Sequence, residues 1–252
     1  MELLINSILV VCCAAFTFIY IAAAARSNRR YRKWPVSRTL CWCGGIWIVA
    51  LTIQGSVVER AHASFTTHMV QHLLFGMLAP LLIVIASPFT LALRAMSVHH
   101  ARRCVRLTKH PYMHVVMHPL TAVTLNIGGL WALYATRLYS MMHESAAIYV
   151  LVHLHLFAAG YLFTASILSL DLVYRRFGFA YRAIMLIVAI AGHSILSKYI
   201  YGSPPGHVPS QQAEAGAMLM YYGGDAIELI VIVLLCFQWY KTRLIKDQSS
   251  VL

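Results

Sequence analysis

Long apolar runs separated by short polar loops recur from one end of the chain to the other. A spanning helix needs about 20 predominantly apolar residues, and runs of that kind lie at 3–25, 39–58, 66–94, 115–135, 146–170, 181–200 and 216–240. The pattern predicts an all-α integral membrane protein, a bundle of about seven transmembrane helices forming a single polytopic domain over 1–252. The third run is long enough to tilt or to begin as an interfacial helix. Gly202-Ser203-Pro204-Pro205-Gly206, the most Pro- and Gly-rich stretch, reads as a turn before the last helix.

Composition agrees with a lipid solvent, since 60% of residues are hydrophobic and only 11% charged. The net charge of +12 could suggest nucleic-acid binding, but the placement of the bases excludes that reading. One set of loops and helix ends holds Arg26, Arg29, Arg30, Arg32, Lys33, Arg38, Arg94, Arg102, Arg103, Arg106, Lys109, Arg175, Arg176, Arg182, Lys241, Arg243 and Lys246; the other holds Arg60, Arg137 and Lys198. That 17 to 3 division of the 20 bases places the rich side in the cytoplasm, with the N-terminus outside and the C-terminus cytoplasmic. The first run is expected to remain as a helix rather than be cleaved as a signal peptide, because its bases follow the apolar stretch instead of preceding it. The basic cytoplasmic loops, which also carry His99, His100, His110, His114 and His118, suit contact with lipid headgroups. The six cysteines have no outer CxxC pair and offer no disulfide framework.

Histidines give the chain its candidate chemistry. His68 and His72 are i and i+4 on one helical face, a spacing that lets two imidazoles reach one ion. Counting 1.5 Å per residue from the outer helix ends places His72, His153 and His193 at one depth, roughly 9 to 10 Å in, with His68 a turn closer to the surface. Polar side chains at that depth face the bundle interior, so the four are candidate metal ligands. His155 points about 200° from His153 and is set aside. His62, His143 and His207 read as solvated residues of outer loops. Asp225 and Glu228 share one face of the last span and are candidates for balancing a cation's charge. Met69 and Met218, near the histidine level, are weaker candidates as soft ligands for Cu(I). A His and Met mixture suits copper better than a structural cysteine zinc site. No phosphate-binding glycine loop, GxSxG elbow or HExxH motif is present, so no catalytic residue is assigned.

The run from Phe65 to Arg94, with His68-Met69-Val70-Gln71-His72-Leu73-Leu74, Ala79-Pro80-Leu81-Leu82 and Ser87-Pro88, closely resembles the signature of the multi-spanning CtaG family of cytochrome c oxidase assembly factors. His153 through Phe163 is similar to a second family segment, with Val152 in place of an acid and Thr164 in place of a tryptophan. Gln211-Gln212-Ala213-Glu214-Ala215-Gly216 with Met218 is similar to a third, without its first Asp and its Trp. The resemblance implies a non-enzymatic factor that binds or delivers copper for maturation of the oxidase copper centres. It would act at the outer face of a bacterial cytoplasmic (inner) membrane. Its implied partners are haem-copper oxidase subunits and other copper chaperones. Two alternatives remain open on the residues themselves: an intramembrane zinc-dependent hydrolase with Asp225 or Glu228 as general base, and a haem-binding membrane electron carrier using histidines from facing helices.

Overall fold

The computed structural model describes residues 2–108, 110–171 and 177–249, and the side chains within these ranges except at 2–5 and 245–249. Lys109, Arg175 and Arg176, three of the bases counted above, lie outside the described residues, as does the side chain of Lys246. Among the described residues all regular structure is helical, as backbone in hydrocarbon requires, since a helix satisfies its own N–H and C=O groups.

The elements are α1 (Glu2–Asn28), α2 (Val36–Thr52), α3 (Gly55–Ala63), α4 (Phe65–His72), a π-helical segment (Leu73–Leu78), α5 (Ala79–Ala86), α6 (Pro88–Ala95), α7 (Val98–Thr108), α8 (Pro111–Val116), α9 (Pro119–Ala135), α10 (Leu138–Glu144), α11 (Ala146–Leu168), α12 (Phe179–Gly202) and α13 (Ser210–Ser249). Among the described residues five helices are long and apolar enough to cross a membrane: Asn6–Asn28, Phe65–Ala95, Ala146–Leu168, Phe179–Gly202 and Ser210–Leu244. A sixth candidate is the pair α2 and α3, bent by 60° at their junction. The protein is therefore a multi-pass membrane protein.

The expected run at 39–58 is divided by that bend, and the run at 66–94 is interrupted twice, by the π segment and at Ser87. The run at 115–135 begins at Pro119, a residue that starts helices because its missing N–H has no partner to lose. The resulting α9 has 17 residues, at the short end of what spans a bilayer.

The rod formed by α4, the π segment and α5 lies at the centre, against α2, α11 and α13. α9 packs on α11 and α12, and α12 runs along α13. α1 lies at the edge on α2 and α6, and its exposed Val11, Phe16, Phe18 and Ile19 present the lipid-facing surface of an outer helix.

The end of the bundle rich in bases is fastened by polar contacts. Ser87 takes a left-handed conformation with φ 53°. The α6 N-terminus that follows it is capped from a distance by Asp171, which accepts from Phe89 N at 2.9 Å, Thr90 N at 2.7 Å and Thr90 Oγ1 at 2.6 Å. Nearby, Tyr20 Oη donates to Ala86 O at 2.7 Å and accepts from Trp34 Nε1 at 3.0 Å. Arg94 stacks over both Tyr31 and Trp34. The buried histidines His68, His72, His153 and His193 collect at the other end.

Candidate functional site

Four helices and the π segment position the site. Ser64 caps α4 by accepting from Thr67 N, and the helix it starts carries His68 and His72 inward, 3% and 2% exposed. α11 brings His153 and α12 brings His193, both buried. α13 brings Glu228, buried, and Asp225, half-buried.

The histidines meet in two pairs, one above the other. The upper pair is His68 and His153, with ring centroids 6.3 Å apart. His68 Nε2 shares a 3.0 Å hydrogen bond with Tyr134 Oη from α9. His153 Nδ1–H donates to Tyr149 O at 2.9 Å, which leaves its Nε2 unprotonated and directed away from its own helix backbone. The lower pair is His72 and His193, whose rings stack at 6.1 Å. Both ring nitrogens of His72, both of His193 and Oε2 of Glu228 are buried without a hydrogen-bond partner. His193 Nδ1 stands 3.8 Å from Glu228 Oε1, beyond hydrogen-bond length.

Unpaired buried polar atoms are rare because each costs about 1 to 3 kcal/mol. Five of them gather at one place here, on His72, His193 and Glu228. His72, His193 and Glu228 line a cavity of about 20 Å³ together with Asn126, Thr164 and Gly160, room for one water molecule or one bare ion. Among the described residues no three His, Cys, Asp or Glu side chains stand together in the geometry of a ready-made metal site. The donors are paired rather than converged.

Glycines create this space. A Cβ on Gly224 would overlap the His193 ring, and one on Gly160 would collide with the Gly76 backbone in the π segment. That close approach of α11 to the central rod follows from the lack of a side chain on either residue, the small-residue contact that membrane helices use.

The remaining candidates are placed as follows. Met69 is fully buried, with its Cγ 3.2 Å from where a Gly216 Cβ would sit, so it packs on α13. Met218 is 50% exposed and lines a surface groove with Lys198 and Tyr221. His155 donates from Nε2 to Leu125 O at 3.1 Å, across to α9 and away from His153. Gln71, between the two α4 histidines, donates to Thr52 O at 2.8 Å and Tyr149 Oη at 3.1 Å, joining α4 to α2 and α11. Sequence reasoning missed Tyr134 and Gly224. The Gly223-Gly224 step just ahead of Asp225 was the available signal for the second.

A family model described as cytochrome c oxidase caa3 assembly factor matches residues 18–242. The chain is 30% identical over 188 residues to the uncharacterized protein Mb0105 of Mycobacterium bovis, covering 69% of this chain and 28% of that protein. It is 27% identical over 250 residues to the uncharacterized protein ML1998 of Mycobacterium leprae, covering 88% of this chain and 37% of that protein. The chain thus spans about a third of the length of the curated relatives it matches. No solved structure matches the chain.

Proposed function

Because the chain belongs to the cytochrome c oxidase caa3 assembly factor family, we propose that it serves oxidase maturation by holding copper, as Cu(I), and passing it on for insertion into the oxidase copper centres. The carrying observation is the cluster of unpartnered donors on His72, His193 and Glu228 around a one-ion cavity. Imidazole suits copper, and a carboxylate offsets the ion's charge in a region where an isolated charge is costly. The 3.8 Å between His193 Nδ1 and Glu228 Oε1 is about the span of two metal–ligand bonds of roughly 2 Å each. His68 and His153 form a second resting place above, Met69 packs on α13, and Asp225 stands one helical turn from Glu228.

In this reading about seven spans cross the bacterial cytoplasmic membrane, with α9 as the short one, α2 with α3 as the bent one, and the histidine end outside. The copper receivers are haem-copper oxidase subunits, with other copper chaperones as suppliers. The alternative of a haem carrier has to open the helices, because the cavity at the lower pair has room for one small species only.

Purified protein incubated anaerobically with Cu(I) and freed of excess metal is expected to retain copper by elemental analysis. His72→Ala with His193→Ala is expected to lower the retained copper at least tenfold in affinity. Copper retention equal to the parent overturns the site, and zinc found in its place favours the hydrolase alternative. Loss of the gene is expected to reduce oxidase activity, with recovery on added copper.

A further inference from the structure

Directly above the upper histidine pair lies an open pocket of about 420 Å³, bounded by His62, Tyr139, His143, Glu144 and His207 among others. In the sequence these three histidines read as separate solvated loop residues. The fold brings them from α3, α10 and the loop before α13 to one mouth. The His62 and His143 rings meet edge to face with centroids 4.9 Å apart. His143 Nδ1–H donates to Tyr139 O at 2.9 Å. That bond fixes the tautomer and leaves Nε2 with its lone pair available, the arrangement by which a backbone carbonyl orients a ligating histidine. Glu144 contributes negative charge beside it.

The mouth is joined to the buried pairs by two aromatic bridges. Tyr139 packs on His143 at 4.6 Å and on His68 at 5.4 Å. Tyr149 stacks on His62 at 4.9 Å and on His153 at 4.0 Å. Each outer histidine thus has one tyrosine between it and one histidine of the upper pair, and below that pair stand His72 and His193.

We propose that His62 and His143, with His207 and Glu144 at the rim, form an outer docking site that takes up a soft monovalent cation, Cu(I), before it passes inward to His68 and His153. This rests on the copper reading of the buried site. Passage is an exchange of neutral imidazole ligands on the ion. The copper keeps its oxidation state and no proton has to leave.

The test supplies Cu(I) as its bicinchoninate complex, a coloured chelate whose bleaching reports transfer to the full-length protein. In a background with His68, His72, His153 and His193 all replaced by alanine, one readily withdrawn Cu(I) is expected to remain, and adding His62→Ala with His143→Ala is expected to weaken it at least tenfold. With the buried residues intact, the outer substitutions alone are expected to slow loading at least tenfold while leaving the copper finally held in the buried site. His62→Gln with His143→Gln repeats the test if the alanine protein is poorly folded. Unchanged loading rate, or unchanged copper in the protein carrying all six substitutions, overturns the outer site. Copper lost with the outer substitutions but untouched by those at His72 and His193 leaves the outer site standing and removes the buried one. No copper on any of the proteins removes both.

Discussion

His193 can occupy its place only because residue 224 lacks a side chain. A Cβ there would overlap the imidazole, and nothing on α13 other than glycine leaves that room. Gly224→Ala is therefore expected to push His193 out of line with His72 and Glu228. Cu(I) affinity in chelator competition should fall at least tenfold, with helical content by circular dichroism unchanged. Parental affinity in this variant would mean that copper binding does not depend on the position of the His193 ring. At this scale the sequence indicated which side chains are buried, and periodicity separated His155, which bonds to Leu125 O on another helix; depth counting placed His153 level with His72 and His193, whereas the structure sets it above them, paired with His68. The sequence could not give the pairing. Whether His68 faces His153 or His193 depends on the rotation of α11 and α12 about their own axes, and both helices are apolar nearly all round, so no amphipathic stripe records that rotation. Tyr134 escaped notice for a related reason, because a tyrosine near a membrane helix end is equally at home as an interfacial anchor.

The π segment from Leu73 to Leu78 shapes the central element. A π turn holds one more residue than an α turn, and such segments recur at functional sites because they re-aim the side chains on either side. Here it separates the α4 histidines from the Ala79-Pro80 start of α5, and it includes Gly76, whose carbonyl faces Gly160. A π segment absorbs one extra residue while keeping its flanks in phase, so a further alanine inserted between Leu78 and Ala79 is expected to turn His68 and His72 by about 100° relative to α5. The lengthened protein should still insert in the membrane but lose bound Cu(I) in elemental analysis. Parental copper content would show that the segment does not aim the histidines. Hydrophobic runs predicted this helix well but not its interruption, since Leu-Leu-Phe-Gly-Met-Leu is as apolar as its flanks. The bend between α2 and α3 was hidden likewise, having no proline, whereas Pro119 was an available signal for the start of α9 that the apolar run from 115 passed over.

For the molecule as a whole, opposite ends carry opposite chemistry: Arg38, Arg94 and Arg182 at one, the histidine mouth at the other. Alkaline phosphatase, which matures only outside the cytoplasm, is expected to be active when fused after residue 206 and inactive when fused after residue 108. The reverse pattern would put the mouth in the cytoplasm and overturn the proposed route of copper entry. Charge placement was enough to expect this polarity from sequence; the three-dimensional mouth was not, because His62, His143 and His207 are each unremarkable within their own segments. The size of the innermost cavity has one more consequence. A chamber of about 20 Å³ has no room for a hydration shell, so a cation can enter it only after shedding its water. Small divalent ions such as Mg²⁺ dehydrate reluctantly, whereas a larger, singly charged, soft ion sheds its water at much lower cost. The bundle would then sort metals by their cost of undressing before any ligand had tested their preferences.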